Sequence, residues 1–432
     1  MNGVRSKEFG RRVLVMAATL FFAVTARADL TIDINGGSVT QIPIAVSSFD
    51  NEAMSPQPVS RIIRDDLRRI GLFRLVDSTG VASSMSEASM PFDAWRAKGA
   101  DAWAVGSITP EFGGQYGVSF RLMDVAKQSQ IVGYQFSAPA SQLREVAHRI
   151  ADMIDVSMTG DGPAFNSRIA FVNYAAHRYT LQVADSDGFD AHTVLTSKEP
   201  IMSPSWSPHG GRLAYVTFLH GKAVIYIQSL VTGKRYRLGR FKGLSSAPVF
   251  SPDGHHLCIV LTSGEASRLY LINDDGSDLR PLTNTDSIDT EPDFSPDGTM
   301  IAFTSDRSGS PQIYTMPSSG GQPQRVSFQG RYYVSPRYSP DGKKIVCIRK
   351  QQGQLRVTQL NLKTGREQVM TQASLDESPS YAPNGKMILF ANADSGPGRL
   401  VVLSSNGLAR TVLKVKAGDI RDPAWGPILP NK

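Results

Sequence analysis

Ser203, Ala247, Glu291, Ser335, Ser378 and Asp422 stand at equivalent places in the second half of the chain, each three residues before an aromatic. Their neighbours include Ser245, Ser246, Asp289, Thr290, Tyr332, Tyr333, Asp376, Glu377 and Arg421. Hydroxyls, acids, Tyr and Arg mixed in this way suit recognition of a protein partner better than bond-breaking. The plainer reading of the same residues is ordinary solvated loops. Asp289, Glu291 and Glu377 allow another, a weakly held cation, although no dedicated metal site is expected.

Catalytic arrangements are missing. No G-x-S-x-G string is present for an α/β-hydrolase nucleophile, and the seven His form no H-E-x-x-H. His255-His256 reads as the start of a half-exposed strand. Asp185, Asp187, Asp274, Asp275 and Asp278 read as hairpin-turn acids before they read as calcium ligands. No cofactor is expected. A propeller hydrolase, or one binding a small ligand or cation, is the alternative to a non-enzymatic interaction protein.

The positioning elements follow from a repeat. Pro-x-aromatic-small-Pro recurs at Trp206, Phe250, Phe294, Tyr338, Tyr381 and Trp425, with separations of 44, 44, 44, 43 and 44 residues. Such a period marks a radial β-repeat. One unit runs from Glu291 to Gln329: an inner strand ending at Phe294, a type I turn Ser295-Pro296-Asp297-Gly298, a strand Met300–Ser305, a strand Gln312–Met316 and a strand Arg325–Phe328. Second strands begin near Arg168, Arg212, His256, Met300, Lys344 and Met387. The first lacks an inner strand before it, and the last inner strand, Pro423-Ala424-Trp425, lacks a second strand after it. The carboxyl terminus should therefore complete the first blade of a six-bladed propeller. The six ring positions above are read as opening each inner strand at the channel mouth.

Residues 29–158 lack the period and read as a small mixed α/β domain. Strands are expected at Leu30–Ile34, Ile42–Val46, Phe73–Val76, Trp103–Val105, Tyr116–Met123 and Ile131–Phe136. Helices are expected where Val59, Ile62, Ile63, Leu67 and Ile70 lie on one face, over Pro91–Lys98, and from Leu143 to Ile154 with Ser141 as the cap. Residues 159–167 are the linker and 168–432 the propeller. The fold class is thus α+β with two domains: a small N-terminal α/β domain, then a six-bladed β-propeller closed by the C-terminal strand.

Residues 1–28 read as a secretory signal peptide. Arg11-Arg12 precedes the apolar run Val13–Val24, and Ala26-Arg27-Ala28 gives a cleavage signal with Asp29 as the mature start. General secretion is favoured over the twin-arginine route. The whole chain is +7, but residues 1–28 hold five bases and one acid, so the mature part carries 41 bases against 38 acids, a net +3. This does not point to nucleic acid. Cys258 and Cys347 fall on different strand phases two blades apart, so buried free thiols are expected.

Signal peptide, α/β domain and six blades in this order resemble the TolB family, periplasmic propellers of the Tol–Pal system. So do the strings Ser203-Pro204-Ser205-Trp206-Ser207-Pro208, Leu213-Ala214-Tyr215-Val216-Thr217, Ala302-Phe303-Thr304-Ser305-Asp306 and Leu375-Asp376-Glu377-Ser378-Pro379. His209-Gly210 and Asn384-Gly385 replace Asp-Gly in two turns. The resemblance implies no catalysis, a periplasmic location and a monomer that supports outer-membrane integrity and constriction during cell division. It implies that the lipoprotein Pal binds over the propeller mouth, with Ser245, Ser246, Ala247, Asp289, Thr290, Glu291, Ser335, Glu377, Ser378, Arg421 and Asp422 as candidates. It also implies that TolA engages a mature N-terminal tail, here Asp29, Leu30, Thr31, Ile32, Asp33 and Ile34. Alternating Leu30, Ile32 and Ile34 independently suit addition as a strand to another protein's sheet edge, or packing back on their own domain.

Overall fold

The computed structural model describes residues 41–82, 85, 90–372, 375–394, 396–416 and 418–430. The signal segment 1–28 and the tail strand Leu30–Ile34 lie outside the described residues.

The first domain is a five-stranded sheet in the order β2-β1-β3-β4-β5, formed by β1 (Ile42–Val46), β2 (Phe73–Val76), β3 (Ala102–Pro110), β4 (Gln115–Asp124) and β5 (Ser129–Pro139). α1 (Val59–Arg69) and α3 (Leu143–Thr159) pack together on one face, while α2 (Phe92–Ala97) puts Trp95 against Trp103 on the other. The period-3.6 stripe of Val59, Ile62, Ile63 and Leu67 is fully inward, as its spacing requires. Ser141 does not cap α3. Ala140–Gln142 is a 3-10 turn that leads straight into the helix, and no side chain accepts its first amides. Gly160 closes α3 in the left-handed conformation that a C-terminal glycine permits.

The rest is six four-stranded sheets. Blade one holds β6 (Ser167–Ala175), β7 (Arg178–Asp185), β8 (His192–Ser197) and, as its innermost strand, Asp419–Ile428 from the end of the chain. The closing strand pairs antiparallel with β6, and Trp425 donates its indole N–H to the Ser167 hydroxyl at 2.8 Å. Blade two holds β9 (Ile201–Trp206), β10 (Arg212–Leu219), β11 (Lys222–Ser229) and β12 (Arg235–Arg237). Blades three to six begin at Leu244, Asp289, Tyr333 and Asp376. The outer strand of blade four is shorter and earlier than the sequence suggests, Gln324–Arg325, and leaves Phe328 exposed.

Strand alternation explains the repeat. Leu213 and Tyr215 face blade one, while Ala214 and Val216 face blade three. Each pair of neighbouring blades thus shares one apolar cluster, six in a closed ring. The motif aromatics are wedges in these clusters: Phe250 packs against blade two, Phe294 against blade three and Trp425 against blade six. The glycines of the turns hold φ near +70°, a conformation that strains other residues, and at Gly385 a Cβ would also press on the turn proline of the preceding blade, Pro340, at 3.2 Å. Cys258 and Cys347 are buried free thiols in different clusters, and burial pushes both thiols up.

The α/β domain joins blades one and six in one continuous core that includes Ile63, Leu67, Ile150, Phe165, Met387, Leu389 and Trp425. Polar clamps fix this junction. Asp152 accepts the amide N–H groups of Ala164, Phe165 and Asn166 at 2.7, 2.8 and 2.9 Å. Asp66, buried between the helices, accepts from Arg69 and from His148 Nδ1, both at 2.6 Å. Asp155, near the end of α3, is pushed up to about 7 by burial and by nearby Asp161.

Two outcomes are expected. Removing residues 419–432 strips β6 of its inner partner and opens the core shared by blades one and six, so near-ultraviolet circular dichroism should lose its native signal and the unfolding transition its cooperativity. A carboxyl held near 7 in the fold and near 4 when unfolded favours folding while protonated, and it opposes folding as pH rises. Asp155→Asn should therefore stabilise the protein at pH 8 by on the order of 3 kcal/mol and change little near pH 4, measured by chemical denaturation.

Candidate functional site

The six ring positions do not open the inner strands. They lie inside them, at a β-bulge repeated in every blade: the ladder register shifts at each one. All six adopt a left-handed backbone, with φ of 50° at Ser203, 44° at Ala247, 53° at Glu291, 56° at Ser335, 50° at Ser378 and 47° at Asp422. A non-glycine residue rarely takes this conformation. Here the proline that follows and the two-sided packing of each blade hold it. The bulge turns six side chains toward the central axis, where they line a cavity of about 320 Å³. A second tier, including Ser205, Val249, Asp293 and Arg337, lines the same cavity.

Much of this ring is committed to holding the blades together. Glu291 Oε1 accepts the Ser335 hydroxyl at 2.7 Å, and Oε2 accepts the Ser335 amide and the Thr304 hydroxyl, each at 2.8 Å. Asp422 accepts the Ser203 amide at 3.3 Å and the Ser378 hydroxyl at 3.1 Å, bridging blades six, one and two. Asp293 accepts the Tyr338 amide at 2.7 Å.

The channel is acidic. Burial pushes Asp293 up to about 6, against the opposing pull of Arg337 and the Tyr338 amide. Burial also raises Asp422. Glu377 keeps solvent access, yet the protein mass around the mouth, then the charge of Asp422, push it up to about 7 against Arg421.

The other sequence candidates divide. Ser246 and Thr290 are half-exposed and Glu377 and Arg421 exposed at the mouth, as a contact surface requires. Ser245 and Asp289 are buried. The Ser245 hydroxyl donates to the Ala223 carbonyl at 3.3 Å, and both carboxylate oxygens of Asp289 accept from Arg307, at 2.8 and 3.0 Å. Asp289, Glu291 and Glu377 do not converge on a cation. Among the described residues, the grouping of metal-ligand type is His148, Asp185 and Asp187 at the domain junction. Arg144 already serves as the cation there, bonded to Asp187 and 3.6 Å from Asp185. Asp66, with Asp187 and Asp185, outweighs burial and holds the His148 ring above its ordinary value.

Three mouth residues escaped the sequence reading. Leu244, Ile288 and Leu375 sit three residues before the bulge in blades three, four and six, and they are 46%, 45% and 47% exposed. Tyr332 holds that place in blade five and is half-exposed. Four apolar side chains at one repeat position form a crescent around the mouth, beside Ser246, Thr290 and Glu377. Periodicity alone could have found them, because the same place is Pro200 in blade two and Asp419 in blade one.

Comparison with known proteins follows this geometry. The family model of the TolB beta propeller domain matches residues 156–429, and that of the TolB amino-terminal domain matches residues 30–131. The chain is 43% identical over 422 residues to the Tol-Pal system protein TolB of Bordetella pertussis, covering 98% of this chain and 96% of that one. It is 50% identical over 408 residues to the namesake of Methylobacillus flagellatus, covering 94% of each. The crystal structure of TolB from Acinetobacter baumannii superposes with a TM-score of 0.83 at 35% identity, over 90% of this chain and 97% of that one.

The bonds of Asp422 predict its cost. Asp422→Ala leaves the Ser203 amide and the Ser378 hydroxyl without an acceptor, and should lower stability by about 2 kcal/mol in chemical denaturation. Ser246→Ala, at the same mouth, should stay within about 0.5 kcal/mol of the parent.

Proposed function

This chain belongs to the TolB family, a periplasmic component of the Tol–Pal system, and from that premise we propose that its propeller mouth binds the lipoprotein Pal and its mature N-terminal tail binds TolA. The observation that carries the mouth reading is the crescent of Leu244, Ile288, Tyr332 and Leu375 beside Ser246, Thr290, Glu377 and Arg421. Apolar anchors ringed by polar groups are the composition of a protein-binding surface. The bulge acids Glu291 and Asp422 support that surface from beneath, as blade-to-blade bonds. The curated relatives are named as Tol-Pal system proteins rather than as enzymes, in keeping with a role in binding.

The tail is residues 29–34, released when the signal peptide is cut after Ala28. Its alternating Leu30, Ile32 and Ile34 fit addition to a sheet edge of TolA. The protein acts as a monomer that links the two partners, and so supports outer-membrane integrity and constriction during division.

Two variants separate the two contacts. Ile288→Asp and Leu375→Asp together place charge in the crescent at exposed positions, and should weaken Pal at least about tenfold in calorimetry while leaving the fold and TolA binding intact. Deleting residues 29–34 should abolish TolA binding and spare Pal. Equal loss of both partners in either variant would refute the division of labour. Unchanged Pal affinity in the first would move its site away from the mouth.

A further inference from the structure

The same outer-strand position occurs six times around the propeller, and in one blade its charge is unlike the others. From Lys234 to Lys242, along β12 and the segment after it, blade two carries Lys234, Arg235, Arg237, Arg240 and Lys242 with no acid. The equivalent stretch of blade three holds Arg280 between Asp278 and Asp286, and that of blade five sets Lys363 and Arg366 against Glu367. Blade six approaches it with three bases, Arg410, Lys414 and Lys416.

Lys234, Arg235, Arg240 and Lys242 are exposed, and Arg237 is half-buried. None of the five belongs to an ion pair among the described residues, and the nearby acid Asp274 is taken by Arg212 at 2.8 Å. The strip is held in shape. The Arg235 guanidinium lies 5.0 Å from the Tyr226 ring centroid and donates to the Tyr215 hydroxyl at 3.4 Å. Lys222, exposed at the β10–β11 hairpin, adds another base to the same blade. Apolar side chains accompany the bases: Val231 is 87% exposed, Tyr236 42% and Leu219 38%.

Bases on an outer strand discourage pairing of sheet edges between molecules. One or two would serve that purpose, and five on one edge of six exceed it. Unpaired bases interleaved with exposed apolar groups match instead a membrane interface, where cations meet phosphates and apolar tips enter the headgroup boundary. We infer that the outer margin of blade two, from Lys234 to Lys242, is a docking surface for anionic phospholipid headgroups.

The test uses the mature chain with vesicles of phosphatidylcholine alone or with added phosphatidylglycerol, read by flotation. The protein should float with the anionic vesicles at low salt, not with the zwitterionic ones, and be released as salt screens the contact. The triple variant Lys234→Gln/Arg240→Gln/Lys242→Gln should lose binding by about 100-fold, roughly fivefold for each base. Arg410→Gln/Lys414→Gln/Lys416→Gln removes the same charge from blade six and should keep nearly all of it. Thermal unfolding checks that both variants fold, and single substitutions replace a triple that does not. Equal loss in both triples would reduce the effect to net charge and overturn the inference. So would equal flotation with zwitterionic vesicles, no flotation at all, or sedimentation with purified peptidoglycan in place of vesicles.

Discussion

The pairing of Asp419–Ile428 with Ser167–Ala175 is the constraint on which the rest depends. Five blades are continuous in sequence, and only this ladder turns the row into a ring. It brings Trp425 between blades one and six, delivers Asp422 to the axis between Ser378 and Ser203, and completes the apolar cluster that also seats α1 and α3. Without it there is no central cavity and no mouth. Asp152 reinforces the arrangement from the other side, because three consecutive linker amides end on its carboxylate immediately before the opening strand.

Closure also sets what the axis can do. Six left-handed bulges place six side chains in one small space, and neighbouring strands offer amides and hydroxyls within reach. Acids there become acceptors for the next blade, as Glu291 and Asp422 do. In the tier above, Leu244, Ile288 and Leu375 remain uncovered, which is where the proposed partner contact is placed. Residues that hold the ring and residues left exposed at the mouth thus lie only three positions apart.

Much of this was legible in the residues. The period of the aromatics gives the blade number, and the orphan strands at either end give the closure. Hydrophobic spacing gives α1 by its inward stripe, and the strands Ile42–Val46 and Phe73–Val76 to the residue. The bulges were not legible, because alternation reports which face a residue occupies and says nothing of the sign of φ. Ser245 and Asp289 read as mouth residues from their place in the chain, and they are buried against Ala223 on a neighbouring strand and Arg307 in the turn after Ser305. The junction of Asp66, His148, Asp185 and Asp187 joins groups that lie far apart in the chain, so no local pattern announces it. Ser141 looked like a cap by residue type alone, but it lies within the 3-10 turn that runs into α3, and no side chain caps the helix start.

The two halves of the seal are also far apart in time. Trp425 and Ser167 are 258 residues apart, so at the pace of translation their strands emerge roughly tens of seconds from each other. Throughout that interval the opening strand presents a bare hydrogen-bonding edge to whatever passes. The nascent protein must therefore be shielded, or kept unfolded, until residues 419–428 arrive. A product that stops short of residue 419 cannot complete the ring and remains an open target for proteases, so closure of the propeller waits on Asp419–Ile428.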